Sequence, residues 1–357
     1  MFHTKFISLL ALALGLMLST TAVQAQAPQA KSVVHLRIVG GLASVNQFTK
    51  NEAPFWSSEL ARLSRGKYSA EIVPFDRAGV PGNDMLRLLE LGVVPFGTTL
   101  MSGFVQHYPQ YTALDLAGLN PDMASLKKNM AAFRPYLEKD LRQRHNIEML
   151  ALYTYPAQVL FCKNPFTGLG DIAGRRVRVS SATQSDFVSA LGAIPVVTGF
   201  AQIMTHMNSG NTDCAITGTM SGNTLGLHRV TSHIHSMPIN WGLAIFGANK
   251  TAWDALPPDL KALLRQELPR LESNIWAESE HETAVGLLCN TGQPQCKTAT
   301  PGKMVNVPLT ANDERLRQQV FSANVLPRWL ARCNGSCASI WNQTIGVRTT
   351  SAAPLKP

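Results

Sequence analysis

The sequence predicts an α/β fold of two similar units joined by one long helix. Segments typical of strands and helices alternate through the first half of the 357 residues, and the alternation recurs in the middle of the chain. Such alternation favours largely parallel sheets. A long segment with apolar residues at helical spacing then follows Pro257 and Pro258, where proline favours the first turn of a helix.

The first unit is predicted from short strand-like segments separated by helical periodicity. Gly66 and Gly92 are expected to end two of its helices. A third helix is expected to be interrupted at Pro135, because proline removes a backbone donor. The expected strands cover 33–39, 70–74 and 93–96, and the expected helices cover 48–63, 84–91 and 125–145.

The middle of the chain predicts the second unit, and the segment beyond it predicts the long helix. The expected strands cover 147–152, 158–161 and 176–179, and the expected helices cover 185–191 and 201–207. The long helix is expected from Pro258 to about Glu282, with a kink at Pro269. At 1.5 Å per residue its length is roughly 40 Å, enough to lie along two domains.

The two ends of the chain are not expected to belong to the fold. Lys5, an apolar run over residues 6–18 and a polar stretch ending at Ala25 are typical of a cleaved signal peptide over residues 1–25. The run is too short for a membrane-spanning helix, so a soluble periplasmic protein beginning near Gln26 is expected. Residues 349–357 are expected to form a disordered tail.

The charge is basic but does not indicate nucleic acid as a partner. The formal net charge of +9 becomes +8 when Lys5 is removed with the leader. A basic surface steers anions, yet the chain has no dense Lys/Arg block and no aromatic-basic recognition motif. Export also separates the protein from the genome, so no nucleic-acid partner is expected.

The cysteines predict disulfides. All six lie beyond the leader, and an even number in an oxidising compartment favours pairing. Cys289/Cys296 and Cys333/Cys337 each flank turn-forming residues and are expected to form local bridges. Cys162 and Cys214 lie on expected strands, and either a bridge or two buried thiols is compatible with that position.

No catalytic or metal constellation emerges from the residues, and no cofactor is expected. Residues 218–222, Gly-Thr-Met-Ser-Gly, place Ser221 one position too late for a nucleophile elbow. His228, His233 and His235 have no acidic residue nearby in sequence, so a structural role is favoured over a metal site. We therefore expect a binding protein and not an enzyme.

Two arginines are candidates for binding an acid. The predicted strand 176–179 alternates, with Val177 and Val179 on one face and Arg176 and Arg178 on the other. A guanidinium stays charged and offers a planar pair of donors to a carboxylate. Periodicity alone is also compatible with a solvated basic edge.

Several ordered motifs resemble the solute-binding proteins of tripartite ATP-independent periplasmic (TRAP) transporters. Leu169, Asp171, Gly174 and Arg178 match a Leu-x-Asp-x-x-Gly-x-x-x-Arg pattern. It is followed by Gly-Ala-x-Pro at 192–195, by a helix beginning near Phe200, and by Gly and Asp at 210 and 213. The resemblance covers about residues 33–271.

The resemblance implies a two-lobed clamshell of discontinuous lobes, with the long helix spanning both and the ligand between them. The implied first lobe comprises 33–154 and 243–281, and the second comprises 155–242 and 282–345. Arg178 stands at the position of the arginine that binds the ligand carboxylate. Gln158 stands where some members carry a second arginine, while Gln202, Met204 and Cys214 depart from the family pattern.

The remaining candidate ligand-binding residues are uncharged. Phe200, Thr217 and Trp241 are expected in the lining, although each is also compatible with an ordinary structural role. Leu100, Met101 and Ser102 align with a loop that approaches the ligand, and the first two predict a pocket less polar than a sugar acid requires. A compact carboxylate with an apolar or aromatic body is therefore expected.

The sequence thus predicts capture of a small organic acid for the membrane subunits of a TRAP transporter. A binding protein that serves a sensor or another uptake system is an alternative. A periplasmic enzyme is disfavoured, because no nucleophile, acid-base pair or metal set emerges.

Overall fold

The computed structural model describes residues 34–104, 106–333 and 335–348. The expected signal peptide and the expected disordered tail at 349–357 lie outside these residues. The strands are β1 (Val34–Gly40), β2 (Tyr68–Pro74), β3 (Phe96–Leu100), β4 (Ile147–Thr154), β5 (Gln158–Cys162), β6 (Arg176–Val179), β7 (Ile194–Val197), β8 (Cys214–Gly218), β9 (His233–His235), β10 (Leu243–Asn249) and β11 (Val305–Val307). The α-helices are α1 (Leu60–Leu63), α2 (Met85–Glu90), α3 (Met123–His145), α4 (Ala182–Ala190), α5 (Ile203–Asn208), α6 (Thr219–Leu225), α7 (Lys250–Asp254), α8 (Pro258–Asn290), α9 (Ala311–Val320), α10 (Leu326–Arg332) and α11 (Ser336–Gln343). Wider helical turns at Gln47–Glu52 and Phe55–Glu59 lead into α1.

Two mixed sheets organise the chain. The first sheet has the order β2-β1-β3-β10-β4, and the second has the order β11-β9-β5-β8-β6-β7. β1, β2 and β3 are mutually parallel, whereas β10 runs antiparallel to both of its neighbours. In the second sheet β6, β7 and β8 are parallel and β5 is antiparallel to β8. Each sheet thus contains a parallel part with an antiparallel return strand.

Two short segments of the chain connect the two sheets. Residues 155–157 lead from the end of β4 to the start of β5, and residues 236–242 lead from the end of β9 to the start of β10. The carboxyl ends of the parallel strands therefore face the same space from both sheets. Ligand sites in α/β folds form at such edges.

Helix α8 bridges the two sheets. It contains 33 residues, which corresponds to roughly 50 Å. Trp276 Nε1 donates to Leu152 O on β4, while Asn290 Nδ2 donates to Thr219 O at the start of α6. The structure therefore has the two-lobed α/β architecture and the long connecting helix that were predicted, although α8 runs eight residues further than expected.

The N-terminal half shows where the sequence predictions of elements were wrong. The expected strand 93–96 is a turn in which Val93 is 68% exposed, and β3 begins only after Pro95. Thr98 and Thr99 of this strand are buried although they are polar, so the strand lacks the apolar pattern by which a buried strand is predicted. Helix α3 continues through Pro135, because the buried side chains of residues 133, 137 and 141 anchor it on both sides of the proline.

Three disulfide bridges lie within the described residues. Cys162 and Cys214 face each other across the β5–β8 pair and are bonded, which decides the alternative that the sequence left open. Cys289, in the last turn of α8, bonds to Cys296, and Cys333, just after α10, bonds to Cys337 in the first turn of α11. The long-range bridge ties together two central strands of the second sheet.

The lobe bounds given above stay a prediction. The strands of the first sheet fall in 34–154 and 243–249, and those of the second fall in 158–235 and 305–307. The C-terminal helices also contact the first half of the chain, since Trp329 Nε1 donates to Pro109 O. Arg317 Nη1 likewise donates to Gly118 O.

Candidate functional site

A cleft of about 670 Å³ lies between the facing edges of the two sheets. Its lining comes from residues that follow β1, β2, β3, β6, β7 and β8, and from residues that begin β5 and β10. The volume is in the range of sites for small organic molecules. The two sheets contribute walls of different chemistry.

The wall from the second sheet is polar. We call it the polar wall, and its side chains carry a guanidinium, amides and hydroxyls. It includes Gln158, Arg178, Ser180, Ser181, Thr198, Gln202, Thr217 and Ser221, together with Phe200.

The wall from the first sheet is mainly apolar, and we call it the apolar wall. Its apolar part is formed by Leu42, Val45, Phe75, Leu100 and Leu243. Asn83, Ser102 and Gln106 add polar groups beside this surface. A ligand in the cleft would contact donors on one side and hydrocarbon on the other.

Arg178 is the central charged group of the polar wall. Its side chain is buried, with only 2% of the residue exposed. Nε and Nη2 donate to Thr198 O at 3.1 and 2.7 Å, and Nη1 donates to Ile216 O at 2.9 Å. A guanidinium has five N–H donors, so one donor on each terminal nitrogen has no partner among the described residues.

The charge of Arg178 is also uncompensated within the described part of the chain. No carboxylate there forms an ion pair with it, whereas Arg176 on the same strand pairs with Asp213 at 2.7 Å. Burial lowers the pKa of Arg178 to about 9. The group is therefore protonated at neutral pH, and a buried charge of this kind is costly until an anion pairs with it.

Asp115 is the second ionisable group of the lining, and its oxygens are already occupied. It accepts hydrogen bonds from the backbone N–H groups of Trp241 and Gly242 and from Asn240 Nδ2. Burial raises the pKa of Asp115 to about 6, while these donors oppose the rise. Asp115 thus anchors the 236–242 crossing segment.

Arg332 supplies a further cation at the cleft, but it is paired. It forms ion pairs with both carboxylate oxygens of Asp186, at 2.6 and 2.8 Å. Arg328 contacts the same carboxylate from the next turn of α10. Arg178 therefore differs from Arg332 in having no internal counter-charge in the described chain.

Most of the candidate ligand-binding residues lie in the lining, and two do not. Leu100, Ser102, Gln158, Phe200 and Thr217 all line the cleft with Arg178. Trp241 is instead a core residue, 2% exposed, whose indole donates to Asn120 O. Met101 is 1% exposed and belongs to the same core, because β3 ends at Leu100 and the chain turns there.

Sequence reasoning missed the polar residues that lie behind or opposite Arg178. Asp115, Asn240 and Arg332 come from a short helical turn, a crossing segment and a C-terminal helix. Each is separated from Arg178 by more than 50 residues in the chain. No local periodicity marks them, and only the tertiary fold places them at one cleft.

The histidines that were considered as metal ligands have other surroundings. His235 is buried and its Nε2 lies 3.4 Å from Asp313 Oδ2, an acid that is distant in sequence. Its Nδ1 accepts from Met237 N, so the pair joins β9 to α9. Within the described residues no three or more His, Cys, Asp or Glu side chains are grouped as a metal site.

The fold and the cleft together define a class, that of two-lobed α/β ligand-binding proteins, here with a buried arginine in the cleft. The family model of bacterial extracellular solute-binding protein family 7, named DctP, matches residues 39–286. The chain belongs to this family, which confirms the resemblance to TRAP solute-binding proteins. The family is one of binding proteins and not of enzymes.

Individual relatives agree with this assignment. The chain is 23% identical over 240 residues to the C4-dicarboxylate-binding periplasmic protein DctP of Rhodobacter capsulatus, covering 66% of this chain and 72% of the relative. The fold matches DctP7 of Bordetella pertussis, an extracytoplasmic solute receptor binding pyroglutamic acid, with TM-score 0.76, 18% identity and coverage of 87% and 99%. A TRAP solute-binding protein of Desulfovibrio salexigens with bound orotic acid gives TM-score 0.75, 15% identity and coverage of 86% and 96%.

Among the residues that the structure describes, none of the helices has both the length and the apolar composition needed to cross a bilayer.

Proposed function

We propose that the chain captures a small organic acid in the periplasm and delivers it to the membrane subunits of a TRAP transporter. The observation that carries this proposal is the buried Arg178 guanidinium in the cleft, which has no carboxylate partner among the described residues. An anionic ligand would supply the missing counter-charge. Hydrogen bonds to a charged group each contribute about 1.5 to 3 kcal/mol.

The free donors of Arg178 fit a carboxylate. One N–H remains on each terminal nitrogen after Thr198 O and Ile216 O are satisfied. Two such donors on a planar group match the two oxygens of a carboxylate. The apolar wall then faces the body of the ligand, which supports a compact acid with a hydrocarbon portion.

Capture would be coupled to closure of the cleft. The walls belong to different sheets, which are connected by residues 155–157, residues 236–242 and α8. A ligand that contacts both walls binds the closed arrangement more tightly than the open one and shifts the population towards it. The closed form is the one that would be delivered.

A thermal-shift series on refolded, ligand-free protein tests the proposal. Pyroglutamate, orotate, succinate, phenylpyruvate and galacturonate are compared with 2-pyrrolidone, which has the ring of pyroglutamate without its carboxylate. At least one acid is expected to raise the melting temperature, because a ligand stabilises the folded state. The neutral analogue is expected to have no effect, and equal shifts with and without the carboxylate would contradict the proposal.

The compartment and the delivery step have their own measurements. Protein recovered from the periplasm should begin near Gln26, and an intact leader there would contradict export by cleavage. Uptake by vesicles that hold the membrane subunits should require the ligand-loaded chain. Uptake at the same rate without the chain would exclude a role in delivery.

A further inference from the structure

The amide of Gln158 is held in one orientation by a relay of buried hydrogen bonds. Asn240 Nδ2 donates to Asp115 Oδ2 at 2.9 Å, so Asn240 Oδ1 points the other way. That oxygen accepts from Gln184 Nε2 at 2.7 Å. Asn240 and Gln184 are 2% and 0% exposed, so neither amide exchanges these partners for water.

Gln184 is fixed from its other end as well. Its Oε1 accepts from the backbone N–H of Ser180 at 2.7 Å, and a backbone N–H can only donate. The Nε2 group must therefore face Asn240 and Gln158. It donates to Gln158 Oε1 at 2.8 Å.

The relay leaves Gln158 with a donor for the cleft. Because Gln158 Oε1 is occupied by Gln184, turning the amide over would bring two NH₂ groups together. Gln158 Nε2 lies over Gly242, where an added Cβ would be 2.3 Å away. Both residues line the cleft. Among the described residues the Gln158 amide forms a hydrogen bond through Oε1 and none through its NH₂ group.

The two donor groups lie on opposite sides of β8, next to positions that are two residues apart along that strand. The Arg178 guanidinium donates to Ile216 O on β8, and Gln158 pairs with Gly218 on the same strand. Two residues of a strand span about 7 Å. A molecule of four or five carbons can contact both positions.

The charge of the cleft favours one carboxylate and not two. Asp115 is negative and fully hydrogen-bonded, and Arg332 is paired with Asp186. A second carboxylate at Gln158 would meet a neutral amide, with the Asp115 charge in the same lining and no unpaired cation other than Arg178 among the described lining residues. Removing such a group from water is unfavourable without a counter-charge.

On the basis of the proposed function, we infer that the cleft selects monocarboxylates that also carry a neutral carbonyl oxygen, with the carboxylate on Arg178 and the carbonyl on Gln158. Asn240 and Gln184 are positioning residues that keep the Gln158 NH₂ group directed at the ligand. Lactam acids and half-amides of short diacids belong to this class.

Calorimetry on refolded, ligand-free protein with length-matched pairs tests the inference. Succinamate is compared with succinate, and glutaramate with glutarate. The half-amide of at least one pair is expected to bind at least tenfold more tightly than its diacid. Gln158→Arg is expected to reverse the order, because it places a cation where the diacid needs one.

Gln184→Met removes the relay while keeping side-chain length. It is expected to reduce the ratio of half-amide to diacid affinity to below threefold. A general loss of stability would weaken binding of both ligands and leave this ratio unchanged. Should this variant fail to fold, the Gln158→Arg reversal decides. If wild type binds diacids as tightly as half-amides, the inference is wrong but the proposed function stands. If wild type binds none of the carboxylates, the proposed function itself is wrong.

Discussion

The two walls of the cleft are built from similar strand-end positions but differ in chemistry, because one carries a buried charge and the other is mainly hydrocarbon. The polar wall places its buried charge at the end of a parallel strand, supported by carbonyl oxygens of neighbouring strands. The apolar wall uses equivalent positions at the ends of β1, β2 and β3 for hydrocarbon. The charged group and the hydrocarbon surface thus lie on separate sheets, so each can be changed by mutation without altering the other.

The largest expected effect is on the polar wall. Arg178→Ala should weaken binding of the preferred acid by about a thousandfold, about 4 kcal/mol, because the bound carboxylate loses its counter-charge. Arg176→Ala, two residues away and paired with Asp213 at the surface, is the matched control and should leave affinity unchanged. Calorimetry that finds Arg178→Ala within threefold of wild type would show that the charge is not the anchor.

The Cys162–Cys214 bridge in the second sheet should stabilise the fold more than the local Cys289–Cys296 bridge. Replacing Cys162 and Cys214 together by alanine opens a separation of 52 residues, for which the chain-entropy model gives about 4 kcal/mol. Replacing Cys289 and Cys296 opens a separation of 7 residues and should cost about 2 kcal/mol. Urea unfolding of the two double variants measures the difference, and equal costs would contradict the predicted order.

The stability of the fold next to the apolar wall should depend on pH, because a buried carboxyl group lies there. Glu52 is buried near β3 and accepts from Gly41 N and Thr98 Oγ1, and burial raises its pKa to about 7. A raised folded-state pKa stabilises the fold fully below the unfolded value near 4.5, and this contribution is lost as the pH rises through about 7. Between pH 4.5 and 7.5 the unfolding free energy should fall by about 3 kcal/mol from this group.

Glu52→Gln should flatten that part of the stability profile, because glutamine does not titrate. Glu71→Gln, at an exposed position of β2, is the control and should preserve the wild-type slope. Chemical unfolding at a series of pH values provides the measurement. An unchanged slope in Glu52→Gln would mean that the buried carboxyl does not govern it.

The smallest expected effect is on the apolar wall itself. Leu100→Asn should weaken an acid with a hydrocarbon body by about tenfold, near 1.4 kcal/mol, while acetate binding changes little. Leu91→Asn, at a residue 58% exposed and outside the cleft lining, is the matched control. If Leu100→Asn binds the larger acid as tightly as Leu91→Asn does, the apolar wall makes no hydrophobic contact with the ligand.

Particular elements show why some predictions were correct and others were not. Strand 176–179 was placed without error, because glycine precedes it and valines alternate with arginines along it. β3 was misplaced, since its buried Thr98 is satisfied by Glu52, a partner that no local pattern shows. Trp241 and Met101 were placed beside the ligand although both pack into the core, because a motif locates a segment and not the direction of each side chain.

By itself the sequence determined the α/β class, the long helix, the family and Arg178 as the candidate carboxylate-binding residue, because these depend on local periodicity and on short ordered motifs. Only the tertiary structure decided that Arg178 has no carboxylate partner in the described chain, that Cys162 bonds to Cys214, and that Asp115, Asn240 and Gln184 form a relay to Gln158. These residues are far apart in the chain, and hydrogen bonds and charge pairing act through space. Their arrangement follows from the meeting of two sheets, which no stretch of sequence specifies alone.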